Sequence, residues 1–310
     1  MQMRNTSRDT VLQQFKVSEA SELLQFLIDK QVRKSRNAIK SLLAHKQITV
    51  NGKIITQFDH KLEIGDRVEI MKFDRSRKVK KLKGLTIVYE DENLIVVDKE
   101  AGILSVSTDK EKSRTVYNAL NEYVKKQSRN ARVFVLHRLD REVSGLMVFA
   151  KSIEVQSLFQ IGWDKIVPVY NYTAVVYGEV SPSSGTLTSW FTENKNFVVF
   201  SSPTDNGGLK AITKYKTIKT NKHNSLLTFD LETRRKNQGR VHMKSIDHPV
   251  VGDKKYGAIS NPIKRIALHA QDMVLIHPVT KNKLEFKSPT PKKMMDLLSE
   301  KEIGQPTVNK

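Results

Sequence analysis

His137-Arg138-Leu139-Asp140-Arg141-Glu142-Val143-Ser144-Gly145-Leu146 is the stretch on which the reading of this chain turns. Val133-Phe134-Val135-Leu136 leads into it, and Leu146-Met147-Val148-Phe149-Ala150 leads out. Both flanking runs are short, β-branched and aromatic, which predicts buried strands rather than helices. Between them stands one carboxylate, Asp140, with Arg138 two residues before it and Arg141 directly after. Burial would raise the pKa of that acid, while the arginines would hold it ionised. An acid kept charged beside an apolar core is a candidate nucleophile or base, and equally an ion-paired loop acid.

Further strands are expected over residues 85–89, 94–97, 172–177, 197–200, 211–218, 226–232 and 273–276. One helix is expected over 115–125, with Val116, Leu120 and Tyr123 on one side. Strands outnumber helices and no βα alternation appears. The fold class is therefore α+β, with a large, mostly antiparallel or mixed sheet. This second domain is expected to run from 85 to 298, with a tail over 299–310.

Upstream, a polar leader (1–16) precedes a smaller module over 17–71. Leu23, Leu24, Leu27 and Ile28 recur at helical spacing. A second helix opens at Ser35 as N-cap and buries Ala38, Ile39, Leu42 and Leu43. Arg36 and Lys40 lie along its flank, with Arg33 and Lys34 just before it. Ile48-Thr49-Val50-Asn51-Gly52-Lys53-Ile54-Ile55 is a hairpin joined by Asn-Gly, and a strand over 67–70 closes the module. Cations clustered beside a small apolar face in a basic chain point to contact with RNA or DNA. The segment resembles the small α-L RNA-binding module of a ribosomal small-subunit protein and of tyrosyl-tRNA synthetases. Ser35-Arg36-Asn37-Ala38, Val50-Asn51-Gly52-Lys53 and Glu63-Ile64-Gly65-Asp66-Arg67-Val68 carry that resemblance. Residues 72–84, with Arg75, Arg77, Lys78, Lys80 and Lys81, show no period and read as a basic linker able to track a phosphate backbone.

The whole chain has 310 residues and a formal net charge of +20. Such an excess answers a polyanion, nucleic acid or an anionic membrane surface. No run approaches the roughly 18 apolar residues of a membrane span. Met1 to Thr10 lacks the apolar core of a signal peptide, so a cytoplasmic protein with no membrane association is expected. The absence of cysteine excludes disulfides, cysteine-ligated zinc and thiol catalysis.

Several chemistries fit poorly. His242, His248, His269 and His277 show no HExxH spacing, so no metal is expected. Asn206-Gly207-Gly208 precedes a strand and reads as a turn, not a phosphate loop. Ser144-Gly145 lacks the glycines of a nucleophile elbow, and Ser105 and Ser107 have no special setting. Glycoside hydrolysis needs a second placed carboxylate, and near Asp140 there is only Glu142. One acid acting on a glycosidic bond without hydrolysis is more economical. Thr233-Arg234-Arg235-Lys236-Asn237-Gln238-Gly239-Arg240-Val241-His242 packs four cations and two amides into ten residues. It reads as a basic loop facing RNA phosphates and base edges, with a solvated loop as the alternative.

His137-Arg138-Leu139-Asp140-Arg141, Ser144-Gly145-Leu146 and Ala150-Lys151 resemble the signature of the RluA-type pseudouridine synthases. Further matching segments follow in order: Lys99 with Gly102, Tyr172-Thr173-Ala174-Val175 with Gly178, and Ala211 with Thr213. Gln238, Arg240-Val241-His242, His248-Pro249, Val251-Gly252-Asp253, Tyr256-Gly257, Leu268-His269-Ala270 and His277-Pro278 complete the set. The resemblance implies an isomerase that turns uridine into pseudouridine in structured RNA, without a cofactor. Asp140 would be its catalytic aspartate, attacking or deprotonating the sugar. Tyr172 would stack on the base and assist loss of the C5 proton, and Arg240 would pair with Asp140. Arg138 would fill the vacancy left by a flipped uridine. Arg141, Arg33, Lys34, Arg36, Lys40, Lys53, Lys99, Arg234, Arg235, Gln238 and His242 are the other expected RNA contacts.

This chain departs from that pattern at Val143, Glu100, Tyr170, Arg234, Asn237 and Gly239, positions expected on loops that face RNA. A monomer acting on large-subunit rRNA is expected, with tRNA as the alternative substrate. A non-catalytic RNA-binding or ribosome-assembly protein and a nucleoside hydrolase are the competing classes.

Overall fold

The structure, a computed structural model, describes residues 11–33, 35–44, 47–71, 80–109 and 111–299. Residues 1–10 of the expected leader, Lys34, the linker cations Arg75, Arg77 and Lys78, and the tail beyond Ser299 lie outside the described residues. The chain divides into two compact units: 1–79 with 89–93 and 279–281, and 80–88 with 94–278 and 282–310.

The smaller unit contains β1 (Val11–Lys16), β2 (Ser21–Glu22), α1 (Leu23–Asp29), α2 (Arg36–Ala44), β3 (Ile48–Val50), β4 (Lys53–Ile54), β5 (Lys61–Leu62) and β6 (Arg67–Met71). Its sheet runs β1-β6-β3-β4, and β2 pairs with β5. Asn51 and Gly52 both take positive φ, 51° and 78°, as a two-residue turn between right-twisted strands requires. Ser35 Oγ accepts the Ala38 amide at 3.2 Å and caps α2. Ile39, Leu42 and Leu43 then pack with Leu23, Leu27, Ile48, Val68 and Ile70 into one core. That leaves Arg33, Arg36, Lys40 and Lys53 exposed. One correction concerns 11–16, read above as leader. These residues form an edge strand in register with β6, Phe15 opposite Val68. Backbone pairing holds it more than burial does, since its side chains are mostly exposed.

The larger unit is built on a sheet of twelve strands. In chain order come β7 (Lys80–Leu82), β8 (Leu85–Glu90), β9 (Leu94–Lys99), α3 (Val116–Lys125), β10 (Phe134–Val135), β11 (Ser144–Ala150), α4 (Ile153–Ile166) and β12 (Val169–Tyr177). There follow β13 (Ser184–Glu193), β14 (Val199–Ser202), β15 (Leu209–Thr220), β16 (Asn224–Leu231), α5 (Gln238–Ser245), β17 (Leu268–Ile276), β18 (Lys283–Lys287) and α6 (Lys292–Asp296). The strand order is β14-β13-β15-β16-β12-β17-β11-β9-β8-β7, with β10 on β11 and β18 on β17. Along β14-β13-β15-β16-β12-β17 and between β11 and β9 the pairings are antiparallel, whereas β11 and β17 run parallel, with Ser144 facing His269 and Gly145 facing Ala270. The fold is α+β on a mixed sheet. Every residue of β11 is buried. A strand covered on both faces has no polar side to present, so after Ser144 its sequence is an unbroken apolar run. Among the described residues, no helix is long and apolar enough to cross a membrane.

Two expectations about basic segments are corrected here. Lys80–Leu82, read as linker, pairs with β8. The basic loop expected over 233–242 instead turns into α5, whose residues Gln238 to Met243 are all buried. Helix α3 begins as expected, with Thr115 Oγ1 accepting the Asn118 amide at 3.1 Å.

Candidate active site

Asp140 is held on a loop whose neighbours are fixed by the core. Leu139 is buried, and its amide and carbonyl both bond Ser105 Oγ, at 3.0 and 2.6 Å. The Val143 amide closes a turn onto the Asp140 carbonyl at 3.1 Å. The buried Lys99 ammonium donates to the carbonyls of Glu100, Ile103 and Arg141 at 3.0, 2.8 and 3.1 Å. Burial pulls its pKa down to about 7, with Arg265 adding to the shift and Glu142 and Asp140 opposing it. Lys99, expected among the RNA contacts, is buried and ties two loops together through these carbonyls. Ser105, passed over in the sequence, belongs to the same support.

The carboxylate itself is partly exposed, its side chain at 38%. Its Oδ2 accepts two donors: Arg240 Nη1 at 2.7 Å and Asn237 Nδ2 at 2.7 Å. Arg138 and Arg141, its neighbours in sequence, are exposed. The cation that holds Asp140 is thus Arg240, a hundred residues away in the chain. Arg240 is aimed by a second acid. Its Nε and Nη2 form a fork on the fully buried Asp253 at 2.7 and 2.8 Å. Burial works against the Arg240 charge, but the hydrogen bond and charge of Asp253, with Asp140 behind them, push its pKa above the ordinary arginine value. The Arg240 guanidinium also lies over the Tyr256 ring at 4.9 Å.

Asn237 stands at the N-cap of α5 with φ of 56°, a left-handed conformation that asparagine tolerates better than most residues. Its side chain caps nothing. Instead Tyr256 Oη donates to Asn237 Oδ1 at 3.0 Å, which turns Nδ2 toward Asp140. Its signal in the sequence was an asparagine where the resembled pattern has histidine, and Tyr256 and Asp253 were legible only as members of a motif.

Tyr172 lies on β12, its ring centroid 4.9 Å from that of Tyr170. Burial pushes its pKa up to about 12; the hydrogen bond with Tyr170 acts the other way, and the charge of Asp140 adds to the rise. Tyr170 donates to the Leu146 carbonyl at 2.7 Å and packs edge-on against His137, centroids 5.2 Å apart. His137 accepts the Val148 amide at 3.0 Å through Nε2, and burial, then the charge of Arg234, pulls its pKa down to about 3. Arg234 sits 5.4 Å above Trp163 and pairs with Asp164 at 2.6 Å.

Two further expected RNA contacts prove internal. His242 is fully buried between Ser189 Oγ and Thr213 Oγ1, at 2.8 and 2.7 Å. Gln238 bonds Thr213, the Ile212 carbonyl, Thr233 and the Arg235 amide. Both pin α5 to β15. Of the departures, Val143, Tyr170 and Gly239 are also buried, whereas Glu100 and Arg234 are exposed. Arg138, Arg141, Arg234 and Arg235 remain on the surface. Among the described residues no three His, Asp or Glu side chains gather into a metal-binding cluster.

A polar site at the rim of a mixed sheet, centred on one acid gripped by one arginine, defines a class that the comparisons identify. The model of the RNA pseudouridylate synthase family matches residues 93–245. Ribosomal large subunit pseudouridine synthase D of Buchnera aphidicola (subsp. Baizongia pistaciae) is 32% identical, over 86% of this chain and 88% of its own. The protein of that name from Salmonella typhimurium is 30% identical over 85% of each chain. Human RNA pseudouridylate synthase domain containing 4 has the same fold, with a TM-score of 0.55 at 21% identity, over 68% of this chain and 92% of its own. The chain belongs to the RNA pseudouridylate synthase family, as the RluA-type resemblance implied. It is an enzyme that isomerises uridine to pseudouridine.

Proposed function

We propose that this enzyme acts as a monomer on uridines of large-subunit rRNA, with Asp140 as the reacting group. The observation that carries the reading is the asymmetry of that carboxylate. Both donors land on Oδ2, and among the described residues no hydrogen bond reaches Oδ1. One oxygen is anchored and the other is left to act on the sugar.

In this mechanism the target uridine leaves the helical stack and enters the site, with Arg138 filling its place. Asp140 attacks or deprotonates the sugar and the N1–C1′ bond breaks. The uracil turns, C5 bonds to C1′, and Tyr172 assists departure of the C5 proton. A tyrosine whose pKa is raised holds its own proton firmly, so its phenol is suited to stacking and to relaying a proton rather than to acting as a standing anion. Arg240 and Asn237 together anchor Oδ2 and fix the rotamer of Asp140.

The rRNA assignment is supported by the relatives named as large-subunit synthases. The exposed Arg33, Arg36, Lys40 and Lys53 support an RNA-binding role for residues 17–71, delivering substrate to a catalytic domain over 85–298. Deleting residues 1–83 is expected to weaken rRNA affinity and site selection while leaving the Asp140 site assembled. The decisive test is Asp140→Asn, assayed by mass spectrometry of digested rRNA. Pseudouridine is expected to disappear while rRNA binding persists. Product retained in that variant would sink the mechanism, and free uracil from the wild type would mean hydrolysis instead.

A further inference from the structure

We infer that the tip of the β13–β14 hairpin is a stacking platform on which Phe197 receives an unpaired RNA base next to the flipped uridine. The inference rests on the RNA reading above and adds a contact that reading does not contain. Phe197 is 68% exposed. It also takes φ of 58°, in the left-handed region that a side chain with a Cβ rarely adopts. A large ring is thus left in water on a strained backbone. Glycine or asparagine would remove both costs.

The strain is not the slack of a loose loop. Asn194 Oδ1 accepts the amides of Asn196 and Val198, each at 3.0 Å. The Phe197 amide donates to the Asn194 carbonyl at 2.9 Å, and the Asn194 amide to the Val198 carbonyl at 3.0 Å. Lys255 Nζ reaches the Phe197 carbonyl at 2.6 Å. The tip is built to hold one ring in one place, and strain kept in a well-braced loop points to function.

What surrounds the ring names its partner. Lys236 Nζ lies 5.1 Å from the ring centre and also pairs with Glu193. Lys195, two residues before Phe197, is exposed, as is Lys254, the neighbour of Lys255. An aromatic ring with the Lys236 ammonium at its face and the Lys255 ammonium on its carbonyl fits a nucleotide, with the base on the ring and the phosphate on the lysines. An apolar protein partner would have to desolvate those same cations. The position suits a base flanking the target. The Val199 amide at the hairpin base donates to Tyr256 Oη at 3.3 Å, and Tyr256 in turn holds Asn237 against Asp140. Lys255 feels the charges of both Arg240 and Asp140.

The test uses Phe197→Gly, which deletes the ring and suits the positive φ, so that folding is preserved or improved. Binding to a large-subunit rRNA transcript is measured by filter retention in the Asp140→Asn background. Phe197→Gly is expected to weaken binding about ten-fold, the scale of one lost base stack. Phe197→Trp is expected to restore it, and in the active enzyme the loss is expected mainly in KM. Wild-type affinity in Phe197→Gly, or no recovery with Phe197→Trp, would overturn the platform. Failure of the wild type to make pseudouridine would sink the mechanism instead, because the binding measurement does not depend on turnover.

Discussion

Two arginine-rich regions border Asp140 and do opposite things. In the loop, Arg138 and Arg141 flank the acid in sequence and point to solvent. In α5, Arg240 comes from far along the chain and is buried with the acid's Oδ2 in its grip. The difference lies in what stands behind each guanidinium. Arg240 is forked onto the buried Asp253 and cannot leave. The loop arginines stand in water instead. Burial with a partner fixes a cation in one place, whereas exposure leaves it available to a polyanion.

Breaking the buried side should have the largest effect. Arg240→Met leaves Asp253 buried without its cation, a loss of about 3–5 kcal/mol in urea unfolding. Adding Asp253→Asn should return much of that stability but no pseudouridine formation, because Asp140 still lacks its anchor. Recovery of activity in the double variant would show that Arg240 serves only the fold.

Next comes Asn237→Gly, which suits the positive φ and removes only the amide. Activity should fall roughly ten- to hundred-fold, the cost of one hydrogen bond to a charged group, with stability unchanged or higher. Unchanged kcat would remove Asn237 from the site.

A third test probes the buried face by pH. His242 titrates near 4, depressed by burial, so the folded state holds it neutral while the unfolded chain takes up a proton near 6.5. That stability is fully present above pH 6.5 and is lost as pH falls toward 4. By pH 5.5 the loss should reach roughly 1–2 kcal/mol. His242→Gln should lack this slope in urea midpoints taken from pH 7 to 5.5. A slope equal to the wild type's would assign it to other groups, the depressed His137 first.

The smallest effects belong to the exposed side. Arg138→Gln and Arg141→Gln should each weaken rRNA binding a few-fold and lower the slope of log affinity against log salt by about 1. A change in the thermal midpoint instead would mean that one of them is structural.

The sheet was legible because its central strands are written as plain apolar runs, β11 and β9 above all. Helix α4 was not legible: Ile153, Leu158 and Ile161 are exposed while Val155 and Phe159 are buried, so no single apolar stripe marks it. Helix α5 failed for the opposite reason. Gln238, Arg240 and His242 look like surface residues, yet each is buried because it finds a polar partner. In the site, the pairing of Arg240 with Asp140 was legible through the family pattern. That Lys99 faces three carbonyls and His242 two hydroxyls was not, since charge and motif membership do not say which way a side chain points.

Gly145 gives the site its spacing. It takes φ of 115° and a Cβ there would fall 2.1 Å from the Ala270 carbonyl oxygen. Ala270 in turn pairs with Tyr172 across the next strand. The acid's loop and the tyrosine's strand are therefore separated by one strand of backbone whose approach depends on a missing methyl group. Any side chain at 145 would act as a wedge, prising Asp140 and Tyr172 apart without touching either.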